Sequence, residues 1–391
     1  MNNVDNNKLI NWLKDNNALN KNLYFKSHNG NRTTYTNKNI SNNKLVISIP
    51  LKCLIHDGLA ETTSIGSEFL KHDHSGISNI KLTLIVLYML STINQDSFYK
   101  YYYKILPNDI SNFPIFWTDK VLTLLKGSDF IQNIMKRKRE FINDYNIICK
   151  ISPEFKKFSF YNFAYMRSIV GSRNFGININ GIKRSAMVPL ADMLNHDKTP
   201  NVSWSFNNKS NCFEMISNDK IKIGSEITDT YGNKCNSKFL LYYGFILDNN
   251  PHNTIFINIK DKVTKLYFTG YIKKDLTDYN TISLLSFLRK VVCKKNKNFY
   301  TEFNKPIDKN IEICMLNYLK SYLQNKLAKY INKDRLKNKL TNKNIKESET
   351  LAIKFILQEI EILQFYIEMC NIGIDTLKYN KDNNNMVFKI Y

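Results

Sequence analysis

Apolar positions along the chain change their spacing several times. Residues 8–16 carry the spacing of a short helix, and from Leu45 the run LVISIPLKCLI is apolar and rich in β-branched residues. Pro50 acts there as a terminator, so a strand ending near Ile49 is expected. Between residues 79 and 150 the pattern turns helical, in LTLIVLYMLSTI and again in VLTLLKGSDFIQNIMKRKREFINDYNII, with Thr118 ahead of Asp119 as a candidate N-cap. Short strands and turns return in AMVPLADML, NVSWSF, CFEMIS and ITDTYG, with NDKIKIGSE as a turn-rich connector. From about Thr281 onward the spacing is helical once more: Ile353, Ile356, Leu357, Ile360, Leu363 and Ile367 form one stripe at i, i+3, i+4, i+7. The pattern predicts an α+β chain. A β-rich module covers 1–260 and is interrupted by a helical insertion at about 61–160, and an all-α domain follows over 261–391.

Composition narrows this picture without changing it. The chain has 391 residues, 43% hydrophobic and 13% aromatic, enough to build more than one core. Lys plus Arg number 56 against 34 Asp plus Glu, a formal charge of +22. The positive charge is spread through a background rich in Asn, Lys, Ile and Tyr and is not gathered in a patch, so nucleic acid is not expected as a direct ligand. Seven cysteines form no CxxC pair, which suggests neither a zinc ribbon nor a disulfide framework and fits a reducing compartment. The N-terminal stretch lacks the cationic and apolar regions of a signal peptide. The apolar run Leu82–Leu90 is far shorter than the ~20 residues a bilayer demands. A cytoplasmic protein is expected, with no membrane partner; KRKR at 136–139 raises a nuclear address as the alternative and reads equally as a solvated helix face.

The densest polar constellation is SRNF at 172–175, DMLNHDKTPN at 192–201, DTYGNKCN at 229–236 and YYGF at 242–245, set among apolar strands. Asp192, Asn195 and His196 fall together at a strand end, where backbone and side-chain groups can converge on a polar ligand. Asn and Asp also build turns, and a single His beside them is often hydrogen-bonded filler. No metal site is expected, because His196, Asp192 and Asp197 lack a second His or Cys at ligand spacing. GxSxG, GxGxxG and GxxxxGK[ST] are all absent, which removes the hydrolase elbow and the common nucleotide loops.

At these same residues the chain resembles the SET-domain family, in the branch of the Rubisco large-subunit and ribosomal-protein lysine methyltransferases. NHDKTPN resembles the branch's NHxxxPN, and TYGNKCNSKFLLYYGFILDNN resembles its YGxxxNxxLLxxYGFxxxxN, in order and spacing. SFYKYYYKILP with FPIFW resembles the helical insertion, and LAIKFILQEIEIL resembles the last helix of the substrate-binding domain. The resemblance implies a knotted β-rich SET domain followed by a helical substrate-binding domain, with S-adenosyl-L-methionine as cofactor. It implies further that Arg173, Asp192, Asn195, His196 and Tyr231 line the cofactor site, that Tyr231 stands where the methyl group is transferred, and that Phe175 and Tyr243 wall the substrate channel. The substrate implied is a protein lysine, on a ribosomal protein or translation factor for example, since the cysteine-rich tail of many histone-directed relatives is missing.

One departure stands out: Thr33 occupies a place in HNGNRTTYT where the branch carries a glycine, a costly exchange if that backbone needs positive φ. The alternatives are protein-histidine methylation, as in the actin-directed relatives, and a SET fold kept only as a binding module. Phe175 and Ala191 stand where the histidine enzymes carry asparagine and tryptophan, which disfavours the first.

Overall fold

The apolar, β-branched run LVISIP forms the strand Leu45–Pro50. Ile47 and Ile49 are buried and Ser48 between them is less so, and the strand runs to Pro50 itself. The computed structural model describes residues 3–19, 22–28, 31–94, 96–295 and 302–379. In chain order the strands are β1 (Leu23–His28), β2 (Asn31–Thr36), β3 (Leu45–Pro50), β4 (Ile55–His56), β5 (Asn174–Ile179), β6 (Ile182–Met187), β7 (Asn195–His196), β8 (Val202–Asn207), β9 (Cys212–Ser217), β10 (Thr228–Asp229), β11 (Ile255–Lys260) and β12 (Tyr267–Ile272). They form small sheets: β1–β2, β3–β9–β8 and β4–β6–β5, all antiparallel, a parallel pair β7–β10, and the hairpin β11–β12.

Contacts divide the chain into two compact units, one made of 1–110 and 136–233, the other of 111–135 and 234–391. The first holds the strands up to β10 and the helices Ile80–Thr92 and Phe160–Arg173. In Ile80–Thr92 the apolar residues Leu84, Ile85, Val86, Leu87, Met89 and Leu90 are all buried, as the run LTLIVLYML predicts. The second unit is built on the helix Glu347–Tyr379, whose stripe residues Ile353, Ile356, Ile360 and Leu363 are buried in one core with Leu284, Leu288, Met315 and Leu319.

This division differs from the expected break at 260/261, and the apolar spacing gives the reason. Ile255, Ile257, Ile259 and Ile272 on β11 and β12, together with Trp117, Leu122, Leu125 and Phe130, belong to the same core as the C-terminal helices. The second unit is therefore helical around one hairpin, not all-α, and the helical insertion expected at 61–160 is shared between the units. Thr118 does sit at the N-cap of Asp119–Leu122, but its side chain makes no capping hydrogen bond. The KRKR segment lies inside the helix Phe130–Ile151, where the Arg137 guanidinium stands 4.6 Å from the centre of the Phe141 ring.

Candidate functional site

Arg173 is the last residue of the helix Phe160–Arg173, which a capping box between Ser159 and Asn162 starts. Its guanidinium Nη1 donates to the Asp192 carbonyl at 2.7 Å and to the Asp192 carboxylate Oδ2 at 3.3 Å. Asp192 lies in the short turn Ala191–Met193, entered through Leu190 at φ +76°. That conformation is costly for a branched apolar residue. It is held by the hydrogen bonds from Asp192 N to Val188 O and from Met193 N to Leu190 O. The Tyr102 hydroxyl also donates to Oδ2, at 2.7 Å. No part of the Asp192 side chain is exposed, and its other oxygen, Oδ1, has no hydrogen-bond partner among the described residues. Burial pushes this carboxyl above its usual range, against the pull of Arg173, Tyr102 and Arg32.

Strands β7 and β10 bring the two motif segments side by side, with Asn195 opposite Thr228 and His196 opposite Asp229. The pairing is parallel, so the chain must make a long crossover between them, here through β8 and β9. It continues in the bond from Asp197 N to Asp229 O at 2.8 Å. Asn201, last in NHDKTPN, clamps the incoming strand: its Nδ2 donates to Glu226 O at 2.7 Å and its Oδ1 accepts from Thr228 N at 2.9 Å. Beyond β10 the Tyr231 N–H donates to His196 Nδ1 at 3.1 Å, and the phenol ring stacks on the imidazole at 5.3 Å between centres. A His196 Nδ1 that accepts places the neutral ring's proton on Nε2. The Tyr231 hydroxyl returns to the Leu194 carbonyl at 2.7 Å. Gly232, at φ +86°, then turns the chain away in a conformation that suits glycine.

Asn195 presents an exposed side chain whose Nδ2 donates to Glu226 Oε1 at 2.7 Å and to Thr33 Oγ1 at 3.4 Å. Thr33 is paired with Lys26 in the β1–β2 hairpin and is not among the residues with positive φ, so the strain foreseen for a threonine there does not arise. Gly30, in the same loop, lies outside the described residues. Asp229 is buried, its Oδ1 accepts from Thr230 N at 2.7 Å, and burial raises its carboxyl to about 6.

The structure thus brings Arg173 to Asp192, and Asn195 and His196 to the strand that leads into Tyr231. Phe175 stands on β5 with its ring 4.9 Å from Phe213 and 5.2 Å from Trp204, an aromatic cluster of the first unit. Tyr243 belongs to the second unit, in the helix Asn236–Tyr243, packed against Phe239 and Phe245 with the Lys234 ammonium 5.6 Å from its ring. Two motif asparagines prove structural. Asn236 is wholly buried, accepts from Leu247 N and Asn250 Nδ2, and donates to Leu247 O and Gln358 Oε1. Residues missed in the sequence are Tyr102, Glu226 and Arg32. Tyr102 is one of three consecutive tyrosines with nothing to set it apart, and Arg32 sits in a short GNR stretch too weak to signal anything. Among the described residues no group of His, Cys, Asp and Glu could hold a metal, and no helix is long and apolar enough to cross a membrane.

A family model described as the SET domain matches residues 31–232. Ribosomal lysine N-methyltransferase 4 of Saccharomyces cerevisiae is 30% identical over 192 residues, which cover 42% of this chain and 38% of that protein. An actin-histidine N-methyltransferase of Gallus gallus is 23% identical over 242 residues, covering 59% of this chain and 40% of the relative. The chain therefore spans about two fifths of the length of these curated relatives. The solved SET domain of LSMT bound to lysine and AdoHcy superposes with a TM-score of 0.74 at 16% identity, over 95% of this chain and 92% of that one. Rubisco LSMT bound to AdoMet superposes with a TM-score of 0.73 at 17% identity, over 95% and 93%. At such identities the superpositions establish the fold.

Proposed function

Because the chain belongs to the SET-domain family, we propose that it is an S-adenosylmethionine-dependent protein methyltransferase that modifies a lysine on a non-histone protein, such as a ribosomal protein or translation factor. The observation that carries this reading is the parallel β7–β10 pair, which gathers Asn195, His196 and Tyr231 beside the Arg173–Asp192 pair. The names of the yeast ribosomal-lysine relative and the lysine-bound structural neighbour point the same way.

The residues present fit such a donor. Its amino-acid end carries a carboxylate and an ammonium, for which Arg173 offers a guanidinium and Asn195 and His196 offer backbone and side-chain polar groups. Asp192 is too deeply buried to reach a ligand with its carboxylate, so it acts by holding Arg173. When bound, the donor supplies a methyl group on a positively charged sulfur. The chain needs no nucleophile of its own, since direct displacement asks only for alignment. Tyr231 meets that need: with its hydrogen committed to Leu194, its oxygen is left as an acceptor for a polarised methyl or an amine N–H. A substrate lysine entering among Phe175 and Tyr231 leaves water, and desolvation next to positive charge lowers its pKa from the ordinary value of about 10.4 toward the neutral, reactive amine.

Histidine methylation is a second reading, favoured by the actin-histidine relatives. Incubating the protein with methyl-labelled S-adenosylmethionine and a cell extract, then mapping the labelled residue, separates the readings. Label on lysine supports the proposal, and label on histidine supports the second reading. A protein that binds no donor is a SET fold without this activity.

A further inference from the structure

We propose that Arg32 is a second binding group for the carboxylate of the methyl donor, supplied by strand β2 and not by the motif segments. The inference rests on reading the site as a donor site and names a residue that does part of the binding. It begins with position. Strand β2 packs on the turn Ala191–Met193 that carries Asp192, and its Thr33 Oγ1 accepts from Asn195 at 3.4 Å. The strand therefore borders the motif residues, and Arg32, on the face opposite to Thr33, reaches Ile105, three residues after the Tyr102 whose hydroxyl holds Asp192.

The guanidinium is held in place. Its Nη1 donates to Asn6 Oδ1 and to Ile105 O, each at 3.3 Å, and it lies 5.8 Å from the centre of the Phe25 ring. Arg32 keeps part of its surface open to solvent, as does Arg173, whose side chain is 19% exposed. What marks the place is charge. Arg32 and Arg173 both act on the one carboxylate of Asp192, and the Arg173 charge acts on Arg32. Burial and then Arg173 press the Arg32 pKa down to about 10. Two cations around a single carboxylate in a desolvated place are unfavourable together and become favourable when an anion joins them. A donor carboxylate gives the two guanidiniums a second anion at close range, while the donor's ammonium and sulfonium stand at other atoms, and a guanidinium offers the carboxylate a paired, planar fork. On this account the threonine and arginine that replace a glycine-rich stretch do not cripple the site; the arginine compensates with a charge.

The test compares two ligands by calorimetry on the full chain: S-adenosylmethionine, and its decarboxylated form, which keeps the adenosine, sulfonium and amine. Wild type is expected to prefer S-adenosylmethionine by tenfold or more. Arg32→Gln retains a side-chain donor for its neighbours but removes the charge, and should lose about tenfold of that preference, through weaker binding of S-adenosylmethionine alone. Asn6→Asp keeps Arg32 and gives it a competing carboxylate within 3.3 Å of the present contact, and should lower the same preference if Arg32→Gln fails to fold. Equal weakening of both ligands in Arg32→Gln, or an unchanged preference in both variants, overturns the proposal and makes Arg32 a tie between Asn6 and Ile105. If wild type binds neither ligand, the reading of the donor site itself falls, a result distinct from the loss of preference.

Discussion

The Tyr231 hydroxyl hydrogen is committed to the Leu194 carbonyl, 2.7 Å away and one residue before the Asn195–His196 strand. With Tyr231 N–H bonded to His196 Nδ1, the tyrosine is tied to the first motif segment at both its backbone and its hydroxyl. A ring held at two points has little rotamer freedom left to lose when a ligand arrives, which is the preorganisation that a displacement reaction rewards.

Asn195→Ala is expected to weaken S-adenosylmethionine binding by about 0.5–1.5 kcal/mol, the usual net worth of one hydrogen bond. Calorimetry reads it directly. An unchanged dissociation constant would show that the side chain serves Glu226 and Thr33 alone.

Tyr102→Phe removes one of the two donors to Asp192 Oδ2 and leaves a buried carboxylate less satisfied. Urea denaturation should show a loss of about 1–3 kcal/mol in stability. No loss would mean that Arg173 suffices to hold Asp192.

Burial raises the Asp229 carboxyl to about 6 from a reference of 3.8, so the folded state favours its protonated form. Its contribution is fully present below pH 3.8 and disappears as pH rises through about 6, after which a buried charge remains as a cost. Asp229→Asn preserves the acceptor for Thr230 N and abolishes the titration. The variant should be more stable than wild type at pH 7.5, by about 1–3 kcal/mol, and gain little at pH 4. Thermal unfolding at the two pH values checks this; an equal effect at both would remove the charge from the explanation.

The lysine-rich segment 333–346 offers Lys333, Lys337 and Lys339 as candidate contacts for an acidic face on a protein substrate. The structure engages two of these: Lys333 Nζ bonds Gln364 Oε1 at 2.7 Å, and Lys339 pairs with the buried Glu349 at 3.0 Å. Reversing Lys339 would set two carboxylates together and damage the fold. Glutamate at the exposed positions Lys337, Lys343 and Lys346 is the sounder test, and should slow methylation of the native protein substrate several-fold at low salt and much less at high salt. Unchanged transfer at low salt would leave these lysines as solvated surface.

How far the sequence carried the reading depends on whether local pattern or tertiary contact made each feature. The stripe at Ile353, Ile356, Ile360 and Leu363 was legible because burial repeats at the period of the helix, and LVISIP because an apolar, β-branched run ends at a proline. The hairpin β11–β12 was not assigned to the second core, because Ile255, Ile257 and Ile259 alternate as any half-buried strand does and nothing in them says which core they join. At the site, the pairing of NHDKTPN with DTYG was legible only through a motif, since a parallel pair of two residues on each side has no pattern of its own. The structural work of Asn201 and Asn236 was hidden inside the same motifs, where a clamp and a ligand contact look alike in a sequence. Arg32 and Tyr102 could not be found, as their meaning comes from Asp192, 160 and 90 positions away.

The central claim is that the paired motif segments form a methyl-transfer centre with Tyr231 at the point of transfer. Single-turnover transfer by Tyr231→Phe, with S-adenosylmethionine saturating and its dissociation constant measured alongside, tests this most directly. The account predicts a rate at least tenfold below wild type, about 1.4 kcal/mol of barrier, with donor affinity nearly unchanged. A Phe variant that transfers methyl groups at the wild-type rate would contradict it and leave Tyr231 a packing residue tied to Leu194.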